Sequence, residues 1–321
     1  MDATCVYWGD FPLADPACVL KRPTCDECTD RLSLSDPQFS TKWVDPLIVT
    51  DRARVPTTAL RNLLHGASAF LMAGGPSANE LPLEMLARRG CWTMAVNNSA
   101  GHPRVRPQAM VCSDPPSKFS HSIWLDPAVM KFVPIPKLAS RRGSLRRKWL
   151  DGKFTPLDRA TITSPNVWGF QRTAWLFPDD RFFTSNGACW GNHKKGVEVT
   201  SQPKTVCTML LGLRLMRYLG CKRLFLVGVD FKMTPEAGYS FEQGRTPEAC
   251  ASNNRQFAVV MEWIQQMQDT STFTRFGMEV YNCNQYSGLR AFPYVPFEEA
   301  VVAAQGICES CPDLAGWYEK N

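Results

Sequence analysis

The fold of this chain is indicated by the stretch Phe70-Leu-Met-Ala-Gly-Gly-Pro-Ser-Ala-Asn-Glu80. Its first half is an apolar run with strand character, and residues 81–89 after it have the pattern of a helix. Ser77 and Glu80 have the spacing of a capping box, which predicts a helix start there. Gly74 and Gly75 allow close backbone approach, and unpaired amides in a first helical turn would face a ligand above the strand end. That geometry suits a phosphate or diphosphate and predicts a nucleotide-using α/β protein.

Strands and helices alternate along the rest of the chain. Short apolar runs without alternation are typical of strands buried on both faces of a parallel sheet. Helices are predicted over residues 204–219, through 257–267 and over 296–305. The predicted fold class is α/β, with a Rossmann-like, mainly parallel sheet and helices on both faces. The predicted strands are residues 69–73, 91–96, 108–112, 130–134, 223–229 and 278–282.

Three regions are predicted along the chain. Residues 1–60 show little periodicity and are interpreted as an irregular N-terminal extension. Residues 61–296 form the predicted nucleotide-binding catalytic domain. Residues 297–321 are expected to form a helix and a cysteine-containing tail that pack back on the N-terminus.

The composition is that of an ordinary globular protein, with 44% apolar and 21% charged residues. No apolar stretch approaches the roughly 18–20 residues that span a bilayer. The first residues lack the basic and apolar regions of a signal peptide. We therefore expect a cytoplasmic protein.

Two Cys-x-x-Cys pairs stand out among the 13 cysteines. Cys25 and Cys28 lie near one end of the chain, and Cys308 and Cys311 lie near the other. Together they could supply a tetrahedral thiolate site for structural zinc that ties the termini together. Four thiolates leave no open position, so this zinc would have no catalytic part. The alternative is two unrelated pairs of surface thiols.

Positive charge is concentrated between residues 137 and 153. This segment has seven basic residues and one acidic residue, so its net charge of +6 equals the formal net charge of the whole chain. A basic cluster with an aromatic side chain is typical of segments that bind polyphosphates or nucleic-acid backbones. The alternative is a solvated loop. The residues that we expect to bind nucleic acid are Arg141, Arg142, Arg146, Arg147, Lys148 and Trp149.

Small polar or acidic residues follow five of the predicted strands. Ligands of such sheets bind beyond the carboxyl ends of the strands, so these residues are candidates for a common site. Further candidates precede the helix predicted at 204, where Thr200 or Ser201 could cap it and Lys204 would favour a bound anion. His193 lies in a polar loop upstream. The strand-end candidates are Gly74, Gly75, Ser77, Asn97, Asp114, Asp230, Lys232, Asn284 and Ser287.

Several of these motifs occur in the same order in one superfamily. Ala73-Gly-Gly-Pro-Ser77, Met94-Ala-Val-Asn97, Val199-Thr-Ser201 and Leu224-Phe-Leu-Val-Gly-Val-Asp-Phe231, followed by Tyr239, are similar to motifs of the bacterial α-2,3/α-2,8-sialyltransferases. Motility-accessory and 6-hydroxymethylpterin diphosphokinase-like proteins are related to these enzymes. The resemblance covers roughly residues 67–290 and implies a GT-A variant of the Rossmann-like fold.

The resemblance also implies roles for particular residues. Gly75, Ser77 and Asn97 would hold the donor nucleotide, with Thr200 and Ser201 nearby. Tyr239 matches the second of two tyrosines that steady the departing phosphate, while Lys232 replaces the first.

The catalytic histidine of that family has no counterpart here, because residues 240–275 contain no histidine. The base is therefore sought elsewhere. Asp114 is the first candidate, His193 the second and Asp230 the third.

The sequence thus predicts a glycosyltransferase that uses a nucleotide sugar. Its acceptor could be hydroxymethylated pyrimidines in DNA, as in phage DNA modification, and a glycan, a lipid-linked group or a small molecule stays open as the alternative. No Asp-x-Asp motif is present, so a mechanism without a catalytic metal is preferred. Two alternatives stay open: a diphosphokinase of the hydroxymethylpterin type, and a non-catalytic nucleic-acid-binding protein stabilised by zinc.

Overall fold

The computed structural model describes residues 47–50, 53–56, 60–112, 123–124, 126–134, 166–170, 172–173, 178–184, 188–189, 207–241 and 243–308. Within these ranges there are eleven strands and six α-helices. The strands are β1 Leu47–Thr50, β2 Ala53–Pro56, β3 Ser68–Met72, β4 Thr93–Val96, β5 Ala109–Val111, β6 Met130–Pro134, β7 Val167–Phe170, β8 Arg172–Thr173, β9 Ala188–Cys189, β10 Arg223–Val227 and β11 Glu279–Asn282. The helices are α1 Glu84–Arg88, α2 Arg181–Thr184, α3 Thr208–Tyr218, α4 Pro247–Asp269, α5 Thr272–Arg275 and α6 Phe297–Ala304.

Seven of the strands form one parallel sheet in the order β11-β10-β3-β4-β5-β6-β7. The remaining strands form the two-stranded pairs β1-β2 and β8-β9. All six predicted strands are present, and their ends differ from the prediction by no more than two residues. The predicted fold class is therefore confirmed.

Both faces of the sheet are covered by helices. Alternate strand residues such as Leu71 and Leu226 pack in one apolar cluster with α3, α4 and α5. Their neighbours Phe70 and Phe225 point to the opposite face and pack with α1 and α6. Because successive strand residues face opposite sides of a sheet, these uninterrupted apolar runs fill two cores at once.

The structure differs from the sequence predictions at several elements. The strand β7 was not predicted, and β1 and β2 lie within the extension that was expected to be irregular. The helix α4 begins at Pro247, well before the predicted apolar stripe, and the Thr246 hydroxyl caps it by accepting from the Ala249 N–H at 3.2 Å. The predicted helix at 296–305 is confirmed as α6.

Within the described part of the chain, every helix is too short or too polar to cross a membrane.

His102 is a buried polar residue beside the turn that follows β3. Its Nε2 lies 3.2 Å from Asn79 Oδ1, and its Nδ1 accepts from the Arg104 N–H at 3.3 Å. This pattern fits the neutral ring with its proton on Nε2, because protonation of Nδ1 would remove the acceptor for Arg104. Burial, with a smaller contribution from the positive charge of Arg104, lowers the pKa of His102 to about 4.

We predict that His102 makes the protein less stable in mild acid. Between pH 4 and 6.5 the unfolded chain binds a proton at this histidine that the folded protein excludes, so the free energy of unfolding rises with pH over this range. Replacing His102 with Gln should reduce this rise by between about 1 and 3 kcal/mol. Urea unfolding at pH 4.5, 5.5 and 7 would measure it. The exposed His65→Gln variant is the control and should keep the parent's pH dependence.

Candidate functional site

The order of strands in the sheet reverses between β3 and β10. From β3 the chain adds β4 to β7 on one side, whereas β10 and β11 lie on the other side of β3. In open α/β sheets, ligands bind in the crevice outside the carboxyl ends of the two strands at such a reversal, here β3 and β10. The Gly-Gly-Pro-Ser turn follows β3, and Asp230 follows β10, so both predicted motifs lie at this crevice.

The turn after β3 is joined directly to the segment after β10. The Gly75 N–H donates to Gly228 O at 2.7 Å, and the Ser77 N–H donates to Asp230 Oδ2 at 3.0 Å. The Ser77 hydroxyl donates to Asp230 Oδ1. A Cβ atom on Gly75 would lie 2.5 Å from Gly228 O and 2.6 Å from Asp230 Oδ2. The approach of the two segments therefore requires glycine at position 75.

This arrangement differs from the helix cap predicted at Ser77. Pro76–Glu80 is a short 3-10 helix without a side-chain cap, and α1 begins only at Glu84. The Ser77 hydroxyl binds Asp230 instead, and the Ala78 N–H donates to Gly75 O at 3.1 Å. The amides of Gly75, Ser77 and Ala78 are thus engaged inside the protein and do not form the free anion-binding turn that the sequence predicted.

The loop after β11 completes the network around Asp230. Asn284 Nδ2 donates to Asp230 Oδ1 at 2.8 Å, and the Gly288 N–H donates to Asp230 O at 2.7 Å. The buried Ser287 hydroxyl donates to Val229 O at 2.6 Å. Asn284 and Ser287 therefore face Asp230 and its backbone, and they hold the loops after β10 and β11 together.

Asn97 lies at the end of the neighbouring strand β4. Its backbone is left-handed, with φ of 55°, a conformation that asparagine tolerates better than most residues. Asn97 Nδ2 donates to Thr208 Oγ1 at the start of α3, at 3.3 Å. Its Oδ1 is buried and accepts no hydrogen bond from the described residues. This carbonyl is therefore a polar group that could accept a hydrogen bond from a ligand.

Tyr239, Ser240 and Phe241 lie over the glycine turn, which comprises residues 74–77, and Arg245 contacts Tyr239. The Ser240 N–H donates to Gly74 O at 2.8 Å, and a Cβ atom on Gly74 would lie 2.8 Å from the Phe241 ring and 3.3 Å from the Tyr239 ring. These two rings are stacked, with centroids 4.9 Å apart. Arg245 Nη2 donates to the Tyr239 hydroxyl at 2.7 Å. Sequence reasoning identified Tyr239 but missed Arg245, whose only sequence signal is a basic residue in a loop that leads into a capped helix.

The other candidates are less closely placed or lie outside the described residues. Lys232 is exposed and lies two residues after Asp230 in the chain. Cys308 is partly buried, and its N–H donates to Gly90 O at 3.0 Å. Among the described residues no group of three potential metal ligands occurs. The residues outside the described ranges are Asp114, His193, Thr200, Ser201, Lys204, the basic segment 137–153, Cys25, Cys28 and Cys311, and their roles stay predictions.

No family model matches the sequence, and no curated protein matches it. Among solved structures, the sialyltransferase CstII from Campylobacter jejuni, in complex with cytidine-5'-monophosphate, has 11% identity and a TM-score of 0.37 over 72% of this chain and 85% of its own. The α-2,3-sialyltransferase Cst-I from the same organism has 14% identity and a TM-score of 0.36, over 78% of this chain and 88% of its own. The MAf glycosyltransferase from Magnetospirillum magneticum AMB-1 has 10% identity and a TM-score of 0.41, over 86% of this chain and 38% of its own. Similarity at this level does not identify a substrate.

We predict that Gly75→Ala destabilises the protein. The added methyl group would overlap Gly228 O and the Asp230 carboxylate, and such overpacking costs about 1–3 kcal/mol. The free energy of unfolding from urea titrations would measure the loss. The matched control is Gly244→Ala, whose Cβ atom would have no neighbour within 4 Å and which should change stability by less than about 0.5 kcal/mol. Equal stability of the two variants would contradict the packing described here.

Proposed function

We propose that this protein is a glycosyltransferase that uses a nucleotide-sugar donor and binds the donor at the crevice between β3 and β10. The observation that carries the proposal is the junction of the glycine turn with Asp230 at the point where the strand order reverses. The order of the motifs along the chain supports the same assignment. Polar atoms without protein partners among the described residues, such as Asn97 Oδ1 and Ser240 Oγ, lie on the segments around this crevice.

Sugar transfer requires a base that deprotonates the acceptor hydroxyl and groups that stabilise the departing phosphate. In this proposal Asp230 positions the site, because its carboxylate already accepts three hydrogen bonds from Ser77 and Asn284. Asp114 is then the first candidate for the base and His193 the second. Tyr239 and Lys232 would lie beside the leaving phosphate of a uridine or guanosine diphosphate sugar.

The acceptor in this proposal is hydroxymethylated pyrimidine in DNA. The hypothesis rests on the positive charge of residues 137–153, which lie outside the described residues. A zinc site formed by the two Cys-x-x-Cys pairs is proposed as a structural element only. Neither is needed for the donor site.

We predict that Asn97→Gly weakens nucleotide binding without unfolding the protein. Glycine adopts the left-handed conformation of Asn97 without strain and removes only the carboxamide. Loss of one hydrogen bond from a neutral donor of the ligand, such as a hydroxyl or an amino group, to Asn97 Oδ1 should weaken binding by about 0.5–1.5 kcal/mol. Thermal-shift screening against nucleoside diphosphate sugars, cytidine monophosphate sugars and nucleoside triphosphates would identify the ligand, and calorimetry would compare the variants.

The matched control for this experiment is Asn62→Gly. Asn62 has nearly the same backbone conformation, with φ of 61°, but its N–H donates to Tyr218 O, away from the crevice. Its replacement should leave nucleotide affinity unchanged. Unaltered affinity in Asn97→Gly would exclude Asn97 from the donor site. Stabilisation by triphosphates alone would favour the diphosphokinase alternative.

The DNA hypothesis predicts retention on DNA that weakens steeply with salt, because neutralised phosphates release condensed counterions. Reversing Arg141, Arg142, Arg146 and Arg147 to Glu should abolish this retention and leave donor binding intact. Fluorescence anisotropy with a labelled duplex between 50 and 200 mM salt would measure it. The control reverses the four exposed basic residues Arg89, Lys222, Arg255 and Arg290, which makes the same change in net charge. Donor binding by a parent protein that shows no salt-dependent DNA retention would leave a glycan or small-molecule acceptor.

A further inference from the structure

Arg245 is a partly buried cation whose hydrogen-bonding capacity is mostly unused. Its Nη2 donates to the Tyr239 hydroxyl at 2.7 Å, and its Cζ lies 5.0 Å from the centroid of the Tyr239 ring. Its Nε is buried and has no hydrogen-bond partner in the part of the chain that the structure describes. Among the described residues, no Asp or Glu carboxylate lies within 4.0 Å of its guanidinium group.

A partly buried guanidinium group with few hydrogen bonds is energetically unfavourable. It carries five N–H donors and a permanent charge, and its removal from water is unfavourable unless an anion or several acceptors replace the water. Arg106 shows the contrast, because its guanidinium group is neutralised by the Asp126 carboxylate at 3.1 Å. Tyr239 fixes the orientation of Arg245 without neutralising it.

Arg245 is connected to the glycine turn through Tyr239. Tyr239, which holds the guanidinium, also packs over Gly74. The next residue, Ser240, donates its N–H to Gly74 O, and its buried hydroxyl has no hydrogen-bond partner among the described residues. The amides of Gly75, Ser77 and Ala78 are all used within the protein, so the turn supplies little positive potential of its own. A phosphate at this place would need a cation from a side chain.

We propose that Arg245 is the residue that binds the phosphate groups of the nucleotide ligand, and that Tyr239 is a positioning residue that holds its guanidinium in place. The planar fork of an arginine matches a phosphate with two parallel hydrogen bonds. The Ser240 hydroxyl, which has no hydrogen-bond partner among the described residues, is a further candidate donor to the same anion. The proposal deepens the proposed function and rests on it for the nature of the ligand, a nucleoside diphosphate ester.

Lys232 is the other cation of this region, and it differs from Arg245 in burial. It is exposed, and an ammonium group in water gains little from one more ion pair. The partly buried Arg245 is therefore expected to contribute more to binding.

The test is calorimetric titration of the full chain with inorganic pyrophosphate and with uridine and guanosine diphosphates. Arg245→Gln should weaken binding of these probes about tenfold to a hundredfold, as expected for loss of charged hydrogen bonds. Arg245→Lys should recover part of the loss. Arg255→Gln, which removes an exposed arginine of α4, is the control and should bind as the parent does.

The role of Tyr239 requires a readout that a general loss of structure would not give. Tyr239→Phe keeps the ring and removes the hydroxyl that accepts from Arg245. It should weaken pyrophosphate binding several-fold in the parent and have no further effect in the Arg245→Gln background, because the two residues act as a unit. Independent effects of the two substitutions would overturn the positioning role.

A measurement on the unaltered protein keeps the proposal testable if the variants do not fold. Pyrophosphate should slow the modification of Arg245 by phenylglyoxal, mapped by mass spectrometry, and leave modification of Arg255 unchanged. Equal affinity of Arg245→Gln and the parent, absence of protection, or absence of any binding of these probes by the parent would each overturn the inference.

The outcomes separate this inference from the proposed function. Arg245-dependent pyrophosphate binding in a protein that transfers no sugar would support the anion site and refute the transferase. Sugar transfer that is unaffected by Arg245→Gln would support the transferase and refute the anion site.

Discussion

The geometry of the crevice depends on the hydrogen bonds that the Asp230 carboxylate accepts. It accepts from the Ser77 N–H, the Ser77 hydroxyl and Asn284 Nδ2, so one side chain joins the segments that follow β3, β10 and β11. Ser77 and Asp230 are 153 residues apart in the chain, and the parallel pairing of β3 with β10 is what brings them together. Hydrogen bonds to an ionised group are stronger than those between neutral groups. Asp230 therefore joins the three loops and fixes their relative position.

The backbone around Asp230 shows how closely these loops are packed. Gly228 has φ of +63°, and a Cβ atom there would lie 2.4 Å from Ala73 O. Phe231 also has a positive φ, of 51°, which is unfavourable for a bulky residue and persists only when surrounding contacts impose it. The Phe231 ring packs against Phe257 of α4 with centroids 4.9 Å apart, and the Gly288 N–H binds Asp230 O. These contacts explain why an unfavourable conformation is retained at the end of β10, next to the crevice.

The fold could be predicted because buried parallel strands appear in the sequence as short, uninterrupted apolar runs. The meeting of polar residues at one edge of the sheet could be predicted as well, since the ends of parallel strands share that edge. The hydrogen-bond partners of these residues could not be predicted from the sequence. Ser77 has the local pattern of a helix cap, but its N–H and its hydroxyl both donate to Asp230, a carboxylate 153 residues away in the chain that no local pattern reveals. Arg245 was missed for the same reason, since its importance comes from Tyr239 and the glycine turn and from no motif of its own. The strand β7, with a glycine at its third position, lacks the apolar continuity that identified the other strands.

The same hydrogen bonds that stabilise the turn limit what it can do with a ligand. An N–H that donates to Gly228 O or to Asp230 cannot donate to a phosphate as well, and the charge of Asp230 would oppose a nearby anion. The sheet and its loops thus provide a rigid surface, while affinity for an anion must come from donor groups that lie beside it, such as the guanidinium of Arg245. Positioning and binding then reside in different segments of the chain. A substitution at Asp230 should accordingly disturb the loops first and the ligand through them, whereas a substitution at Arg245 should act on the ligand while the network around Asp230 stays intact.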